Sequence, residues 1–463
     1  MIPTYFAALV LLSAWWARGT RQLSMLLFWT LFGGSAAFIL PVLGGASLSP
    51  AVSFLPLLLL TALRKGGTSR LTREMSDGQP GFWLLMLILW GVVGAIFIPR
   101  MLAGDIDVLT IDRLTSSADD LLLPTPLRPV SSNISQAAYA LGSLLTFACV
   151  RSLLQEKDGY EQFGAGIMLT AWANVVAGLI NMVELYGGLP SMLEYVRNGS
   201  YAMLNSDPMG GLQRLYGTFP ESSAFAGFCL GIFAATLTLW RHGWHARQTG
   251  WLALITLLLL LLSTSTTGYV GLMGYLCVVL MLDGMTMLSG RSPSRWGTMS
   301  AVAAMIIMVI SLLMLVSPAV FEPVISFFNL TLFDKMESQS GVERGSWNQQ
   351  AWSNFLESYG LGVGLGSTRA SSYPLVLLSN LGVIGTLLFV IFTLSFLGRS
   401  RPKDRSDSEI WPIAVASRHA AASILIGSAI AGTVFDLGIG FYAFAAAACG
   451  MSVQHHKKAR LTS

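Results

Sequence analysis

Residues 344–385 read RGSWNQQAWSNFLESYGLGVGLGSTRASSYPLVLLSNLGVIG. The stretch starts polar and aromatic, with Arg344, Trp347 and Trp352 on a segment of helical character. It turns through Gly362, Gly364 and Gly366 and passes a second arginine, Arg369. It ends in an apolar run that holds Gly382 and Gly385. A polar segment, a glycine turn and an apolar helix in unbroken succession describe a chain passing from water into lipid.

The rest of the sequence repeats that passage. The chain has 463 residues, 53% hydrophobic and 11% charged, against about a quarter charged in soluble domains. Apolar runs close to the roughly 20 residues of a membrane span recur throughout. The reading is an all-α, polytopic transmembrane helical bundle, a single integral membrane domain over residues 1–463. About thirteen spans are expected, near 3–17, 23–42, 47–63, 81–98, 135–151, 163–186, 221–240, 249–264, 267–288, 297–317, 373–397, 411–432 and 437–453. The first run has neither a basic stretch before it nor a small-residue cleavage site after it, so no cleavable signal is read. The four cysteines, Cys149, Cys229, Cys277 and Cys449, fall in apolar runs and read as packing residues rather than disulfides.

Lys and Arg then set the orientation. Every second loop is basic: 18–21, 64–73, 151–157, 241–247, 291–295, 399–405 and the tail 457–460 together carry 19 of the 28 Lys and Arg. That side is read as cytoplasmic, with the N-terminus outside and the C-terminus inside. The opposite side holds Arg100, Arg113, Arg128, Arg197, Arg214, Lys335, Arg344 and Arg369. It also holds three long loops, 99–134, 187–220 and 318–372, of which the last two are expected to form the active site. The cytoplasmic connectors are short, with no phosphate-binding loop and no metal-ligand cluster. No nucleotide-binding site is expected inside, no cofactor, no metal and no nucleic-acid partner.

Two outer segments carry chemistry. The first is Arg214-Leu-Tyr-Gly-Thr-Phe-Pro-Glu221-Ser-Ser, where a loop enters a span. Pro220 suits a first helical turn, and the free N–H groups of that turn favour an anion. Glu221 is an acid at the membrane boundary, a candidate proton acceptor; the alternative is a plain capping turn. The second is the 344–369 segment. Trp347, Asn348 and Trp352, with Tyr216 from the first segment, supply aromatic faces and an amide suited to sugar rings. Interfacial anchoring is the alternative for the tryptophans. The glycine turn lets backbone approach a ligand closely. Arg214, Arg344 and Arg369 are three cations able to neutralise a diphosphate, or else rim charges.

Two further features are less decided. Hydroxyls at Ser263–Tyr269 either line a sugar cavity or satisfy backbone groups. No histidine lies outside, so any outer base is a carboxylate, a substrate group, or absent. Arg418-His419 is an intramembrane pair near its inner end, read as snorkelling.

These pieces resemble the O-antigen polymerase/O-antigen ligase superfamily. The resemblance rests on Arg214–Gly227, the hydroxyl-rich hairpin at 263–269 and Pro129–Gln136, together with Arg344, Trp347, Gly362-Val-Gly-Leu-Gly366 and Leu381-Gly-Val-Ile-Gly385. It implies a GT-C-type glycosyltransferase of the bacterial inner (cytoplasmic) membrane. Such enzymes take glycan from an undecaprenyl-diphosphate-linked oligosaccharide at the periplasmic face, by metal-independent inverting transfer with lipid diphosphate leaving. Arg214 and Arg344 match diphosphate-binding arginines, with Arg369 as a third. A chain-length regulator (a polysaccharide co-polymerase) and a flippase are implied as partners. Ligases carry a His-Asn pair about eleven residues before the first glycine of the Gly-x-x-Gly step. Here Ser371 and Ser372 stand there, and Asn380 replaces an acid two residues before that glycine. The expectation is therefore a Wzy-type polysaccharide polymerase with Glu221, or else Glu343, as the catalytic carboxylate. The rival readings are an O-antigen ligase acting on lipid A-core or protein, and a flippase for the same lipid-linked unit.

Overall fold

Proline sits in the first turn of four helices, at positions 50, 80, 374 and 412. A first-turn residue has no intrahelical use for its N–H, so proline starts a helix at no hydrogen-bond cost. The computed structural model describes residues 1–41, 46–109, 124–188, 191–200, 213–288, 339–398 and 410–450. Among these, the helices are α1 (Tyr5–Trp16), α2 (Arg21–Trp29), α3 (Pro50–Glu74), α4 (Pro80–Met101), α5 (Ser131–Leu154), α6 (Gly159–Gly187), α7 (Ser222–Arg241), α8 (Ala246–Leu262), α9 (Thr266–Leu288), α10 (Gln339–Glu357), α11 (Tyr373–Leu397), α12 (Trp411–Ala431) and α13 (Gly438–Ala448).

Seven of these helices are long and apolar enough to cross a membrane: α4, α5, α6, α7, the first 20 residues of α9, α11 and α12. The chain is thus a helical membrane protein, but the described residues give fewer full spans than the sequence predicts. The segment expected to span at 297–317 lies outside the described residues. The one expected at 23–42 stops as a helix at Trp29. Beyond it, strands β1 (Ile2–Pro3), β2 (Phe38–Leu40) and β3 (Ala46–Leu48) form an antiparallel ribbon. At Gly33 and Gly34, past the end of the helix, the Phe219 ring and the Thr218 carbonyl occupy the space a side chain would need. The last expected span is α13, only 11 residues in its described part and almost wholly buried. At that length an apolar helix is a core element rather than a crossing.

Some of the basic segments can be followed among the described residues. Arg151 Nε bonds Glu74 Oε2 at 2.8 Å, Gln155 also bonds Glu74, and Arg70 pairs with Glu156. Thr20 Oγ1 donates to Asp158 Oδ2 at 2.6 Å, and Arg241 Nη2 meets Asp283 Oδ2 at 2.6 Å. The ends of α3, α5, α6, α7 and α9 therefore gather at one end of the bundle. Arg64, Lys65, Arg70 and Arg73, expected in a connector, lie within α3, which runs on to Glu74 through a break at Gly67 (φ 66°, ψ 176°). The basic residues at 291–295, 399–405 and 457–460, with Arg113 and Lys335, lie outside the described residues.

At the centre, α7 packs on α8, α9 and α12, while α13 packs on α5, α11 and α12. Edge-to-face rings run from Phe147 of α5 through Phe392 and Phe396 of α11 to Phe441 of α13. Such contacts favour tilted rather than stacked rings, so they fix helix orientation as well as distance.

Candidate functional site at the end opposite the basic loops

Helix α11 is broken at Gly382, whose φ of 64° and ψ of −164° belong to glycine alone. A break in a helix releases backbone groups that must find partners. Here the glycine turn supplies them. Val363 N–H donates to Ser379 O at 2.7 Å, Gly364 N–H to Asn380 O at 3.1 Å, and Val383 N–H to Gly360 O at 2.9 Å. Trp90 Nε1–H donates to Leu381 O at 2.9 Å. The Asn380 side chain finishes the joint: its Oδ1 accepts Gly366 N–H at 2.9 Å, and its Nδ2 donates to Thr368 O and Val376 O at 3.1 and 3.0 Å. Gly362 N–H goes to Ser358 Oγ at 2.9 Å. The close approach these glycines permit is made to three helices: Gly362 lies against Asn380 and Gly382 of α11, Gly364 against Gly94 and Pro99 of α4, and Gly366 against Ser132 of α5. The N–H groups of residues 362, 363, 364 and 366 are not left over for a ligand.

Pro129–Gln136 is the seat of this turn. Asn133 Nδ2 donates to Leu365 O at 2.8 Å and to Ser367 Oγ at 2.9 Å. Three segments far apart in sequence, near 133, 366 and 381, thus form one polar joint at the mouths of α5 and α11.

The turn carries Arg369 outward. Its guanidinium lies over the Trp347 ring, 5.1 Å from the centroid. Asn348 Oδ1 accepts Ser371 N–H at 2.8 Å. Arg344 precedes Trp347 and Asn348 by three and four residues, so all three share the face of α10 that turns toward residues 369–371. Arg344, Trp347, Asn348 and Arg369 are therefore brought together. Trp352 is exposed and packs on Phe355, with ring centroids 5.5 Å apart. Glu343 is half-buried beside Arg344, on the next face of α10.

The Arg214 loop is built differently. Asn181 Oδ1 of α6 accepts Tyr216 N–H and Gly217 N–H, both at 3.0 Å. Asn181 Nδ2 donates to Glu184 Oε2 at 3.2 Å, and Glu184 Oε1 accepts Leu193 N–H at 2.7 Å. Arg214 is half-buried and lies within electrostatic reach of Tyr269. Tyr216 is buried, with the Arg197 guanidinium 4.3 Å over its ring. A buried, covered ring has no face for a sugar, so Tyr216 is corrected from glycan contact to loop anchor. Burial pulls the Arg197 guanidinium below its ordinary value, with Tyr216, Glu184 and Glu194 acting the other way.

A cavity of about 560 Å³ is lined by both Glu221 and Asp436. Glu221 holds the N-cap position of α7 and accepts the Ser223 hydroxyl. Asp436 sits in the connector between α12 and α13. Its Oδ1 accepts Ser143 Oγ–H at 2.7 Å and Gly438 N–H at 3.2 Å. Burial raises its pKa above the ordinary carboxylate value, and the two hydrogen bonds oppose that rise. Trp29, Tyr139 and Phe228 give the wall aromatic faces, and among the described residues no Lys or Arg lines it. Of the Ser263–Tyr269 hairpin, Thr267 reaches the cavity, whereas Ser263 Oγ bonds Leu260 O at 2.6 Å in a purely backbone role. Ser372 Oγ donates to Ala429 O at 2.9 Å and Tyr373 OH to Phe435 O at 3.0 Å, which ties the Arg369 segment to the connector that carries Asp436.

The sequence reading passed over Asp436 and the Asn181–Glu184 pair, and gave Arg197 no role beyond its place on the outer side. The signal for Asp436 was present: a carboxylate between two apolar runs is a functional candidate by default. Arg418 Nε donates to Ala448 O at 3.0 Å and His419 Nδ1 meets Tyr275 OH at 3.0 Å, so that intramembrane pair has partners inside the bundle. Among the described residues, no group of three or more His, Cys, Asp or Glu is placed to hold a metal ion. No protein-family model matches this chain, and no curated protein matches it.

Proposed function

We propose that this chain is a membrane glycosyltransferase that polymerises undecaprenyl-diphosphate-linked oligosaccharide repeat units at the outer face of the bacterial inner membrane. The observation that supports the reading is the cavity. It is apolar and aromatic with two carboxylates, free of Lys and Arg among the described residues, and tied to an arginine-bearing rim. Its volume of about 560 Å³ lies within the roughly 300–1,000 Å³ of small-molecule sites. A cationic rim beside a cation-free pocket suits a substrate whose charge and sugar are separate parts. In this reading the diphosphate meets Arg369 and Arg344, with Arg214 from the neighbouring loop, while the glycan enters the cavity. The acceptor sugar hydroxyl attacks the anomeric carbon, and the guanidinium groups stabilise the charge that develops on the leaving diphosphate. Glu221 lies where it can orient the acceptor.

The test is purified protein in lipid with lipid-linked repeat units and no nucleotide sugar. The expected product is a ladder of longer glycans that persists in EDTA. A ladder that requires added divalent metal rejects the mechanism. Glycan found on lipid A-core or protein, with no lengthening of lipid-linked units, identifies a ligase instead. Movement of intact units across the membrane without a new glycosidic bond identifies a flippase.

A further inference from the structure

The second half of helix α10 is amphipathic in the sense opposite to that of a helix in water. Asn354 and Ser358 are buried and serve the turn that follows: Asn354 pairs with Thr368 Oγ1 at 3.0 Å, and Ser358 Oγ accepts Gly362 N–H at 2.9 Å. Trp352, Leu356 and Tyr359, at i, i+4 and i+7, form one helical stripe and are 47, 55 and 99% exposed. Amide and hydroxyl inward with large apolar side chains outward is the arrangement of a surface that meets lipid. Tyr359 closes the helix at φ 53°, a left-handed position that usually falls to glycine, and its ring is left almost wholly uncovered.

Helix α11 shows where this stripe stands. Asn348 Oδ1 accepts Ser371 N–H at 2.8 Å just before α11, and Gly360 O accepts Val383 N–H at 2.9 Å just after its break. Helix α10 therefore runs alongside the first part of α11, where Tyr373, Val376, Leu377 and Leu381 are buried. The exposed apolar strip of α11 begins with Val383, Ile384 and Leu387. From Val383 to Leu397 the helix spans about 22 Å at roughly 1.5 Å per residue, short of the about 30 Å of a bilayer core. The missing height is the one that α10 occupies. The two surfaces are continuous, since a Cβ at Gly360 would touch Val383 Cγ2 at 3.4 Å. Glu357 is exposed on the flank of the stripe, which sets the depth at the boundary of headgroups and acyl chains, where Trp and Tyr of membrane proteins gather.

We propose that the second half of α10 is seated in the membrane interface on the side opposite the basic loops, with Trp352, Leu356 and Tyr359 against lipid. The inference needs only the helical membrane bundle and goes beyond the polymerase reading. It moves Trp352 from glycan contact to membrane contact. The backbone meets the condition that lipid imposes on irregular chain, because the N–H groups of residues 362, 363, 364 and 366 are all bonded within the protein. Arg344 lies about 12 Å before Trp352 along the same helix, so this seating also fixes the height of the arginine rim relative to the lipid.

The experiment places a nitroxide label at Leu356→Cys and at Tyr359→Cys, one at a time, in vesicles of phosphatidylethanolamine and phosphatidylglycerol. Both side chains are exposed, so their replacement removes no core packing. The background is Cys277→Ala, since Cys277 is exposed whereas Cys149, Cys229 and Cys449 are buried. A label at Ile384→Cys, on the exposed strip of α11, marks lipid, and one at Asp77→Cys, in the exposed turn between α3 and α4, marks water. The ratio of collisions with oxygen to collisions with a nickel chelate should be several-fold higher at positions 356 and 359 than at 77, and lower than at 384. Labels at 356 and 359 as open to nickel as the one at 77 overturn the proposal, because the stripe then faces water. Labels shielded from both reagents overturn it in favour of a protein cover, such as a second copy of the chain. The melting of Leu356→Asp in the same vesicles is an independent readout. It should fall below wild type, and an unchanged melting temperature overturns the lipid contact at that residue.

Discussion

The Arg369 guanidinium lies 5.1 Å over the Trp347 ring, joining the end of the glycine turn to helix α10 across a gap of 22 residues in sequence. A ring beneath a guanidinium fixes the plane of the cation without using its N–H donors. Arg344, one turn before Trp347, shares the same helical face.

Arg344→Ala should therefore abolish or nearly abolish the glycan ladder while expression stays normal. A charge-assisted contact is worth about 1.5–3 kcal/mol, roughly 10- to 150-fold in donor affinity. Trp347→Ala should weaken donor binding less, by about 0.5–2 kcal/mol. Arg369→Lys keeps the charge and loses the planar fork, so its donor KM should rise. Steady-state kinetics with lipid-linked donor check all three, and a near-normal ladder from Arg344→Ala removes that residue from the site.

Asn380→Ala should destabilise the fold. It leaves Gly366 N–H and the Thr368 and Val376 carbonyls without their partner in a buried joint. Each buried group left unsatisfied costs about 1–3 kcal/mol. Asn380→Asp keeps the acceptor for Gly366 but sets a carboxylate against two carbonyls, and should be no better. Thermal unfolding in detergent measures both.

Gly382→Ala should be worse than an alanine at an ordinary helical position. A Cβ there would meet Gly360 O at 2.3 Å, and the backbone φ of 64° disfavours any side chain. The strain alone is about 1–3 kcal/mol. An unchanged melting temperature for Gly382→Ala would mean that α11 is not broken at this residue.

Asn181→Ala should lower activity without touching substrate. It frees two backbone N–H groups of the Arg214 loop and the side chain of Glu184. The loop that carries Arg214 toward Glu221 would lose its seat. Donor KM should rise while the intrinsic pH profile stays where it is.

Asp436 predicts a pH-dependent stability. Its folded pKa is raised by burial, so its stabilising contribution is complete below the unfolded carboxylate pKa of about 3.9. That contribution is lost as pH rises through the folded value. Each unit of displacement corresponds to about 1.4 kcal/mol. Asp436→Asn should thus melt higher than wild type at neutral pH, and the gap should close under acid conditions where both side chains are neutral. A lower melting temperature for Asp436→Asn at neutral pH would contradict this origin of the shift.

Composition and periodicity were enough for the class of the protein, because lipid admits few solutions: a backbone without water must bond to itself, and helices do so locally. The alternation of basic loops was legible for a related reason, since each helix reverses the side of the chain. The same local signals misjudged residues 23–42 and 437–453. An apolar run looks alike whether it faces lipid or a protein core, and only packing separates the two.

At the site, residue types were legible and their company was not. The sequence by itself determined a helical membrane chain, a glycine turn before α11, and arginines and an acid at Arg214, Glu221, Arg344 and Arg369. The tertiary structure decided that the glycines serve the break at Gly382, that Tyr216 lies under Arg197, and that Asp436 lines the same cavity as Glu221. The physical reason is range. Helix formation and lipid partition depend on neighbours within a few turns, whereas Glu221 and Asp436 meet one cavity only because α7, α12 and α13 pack at its wall.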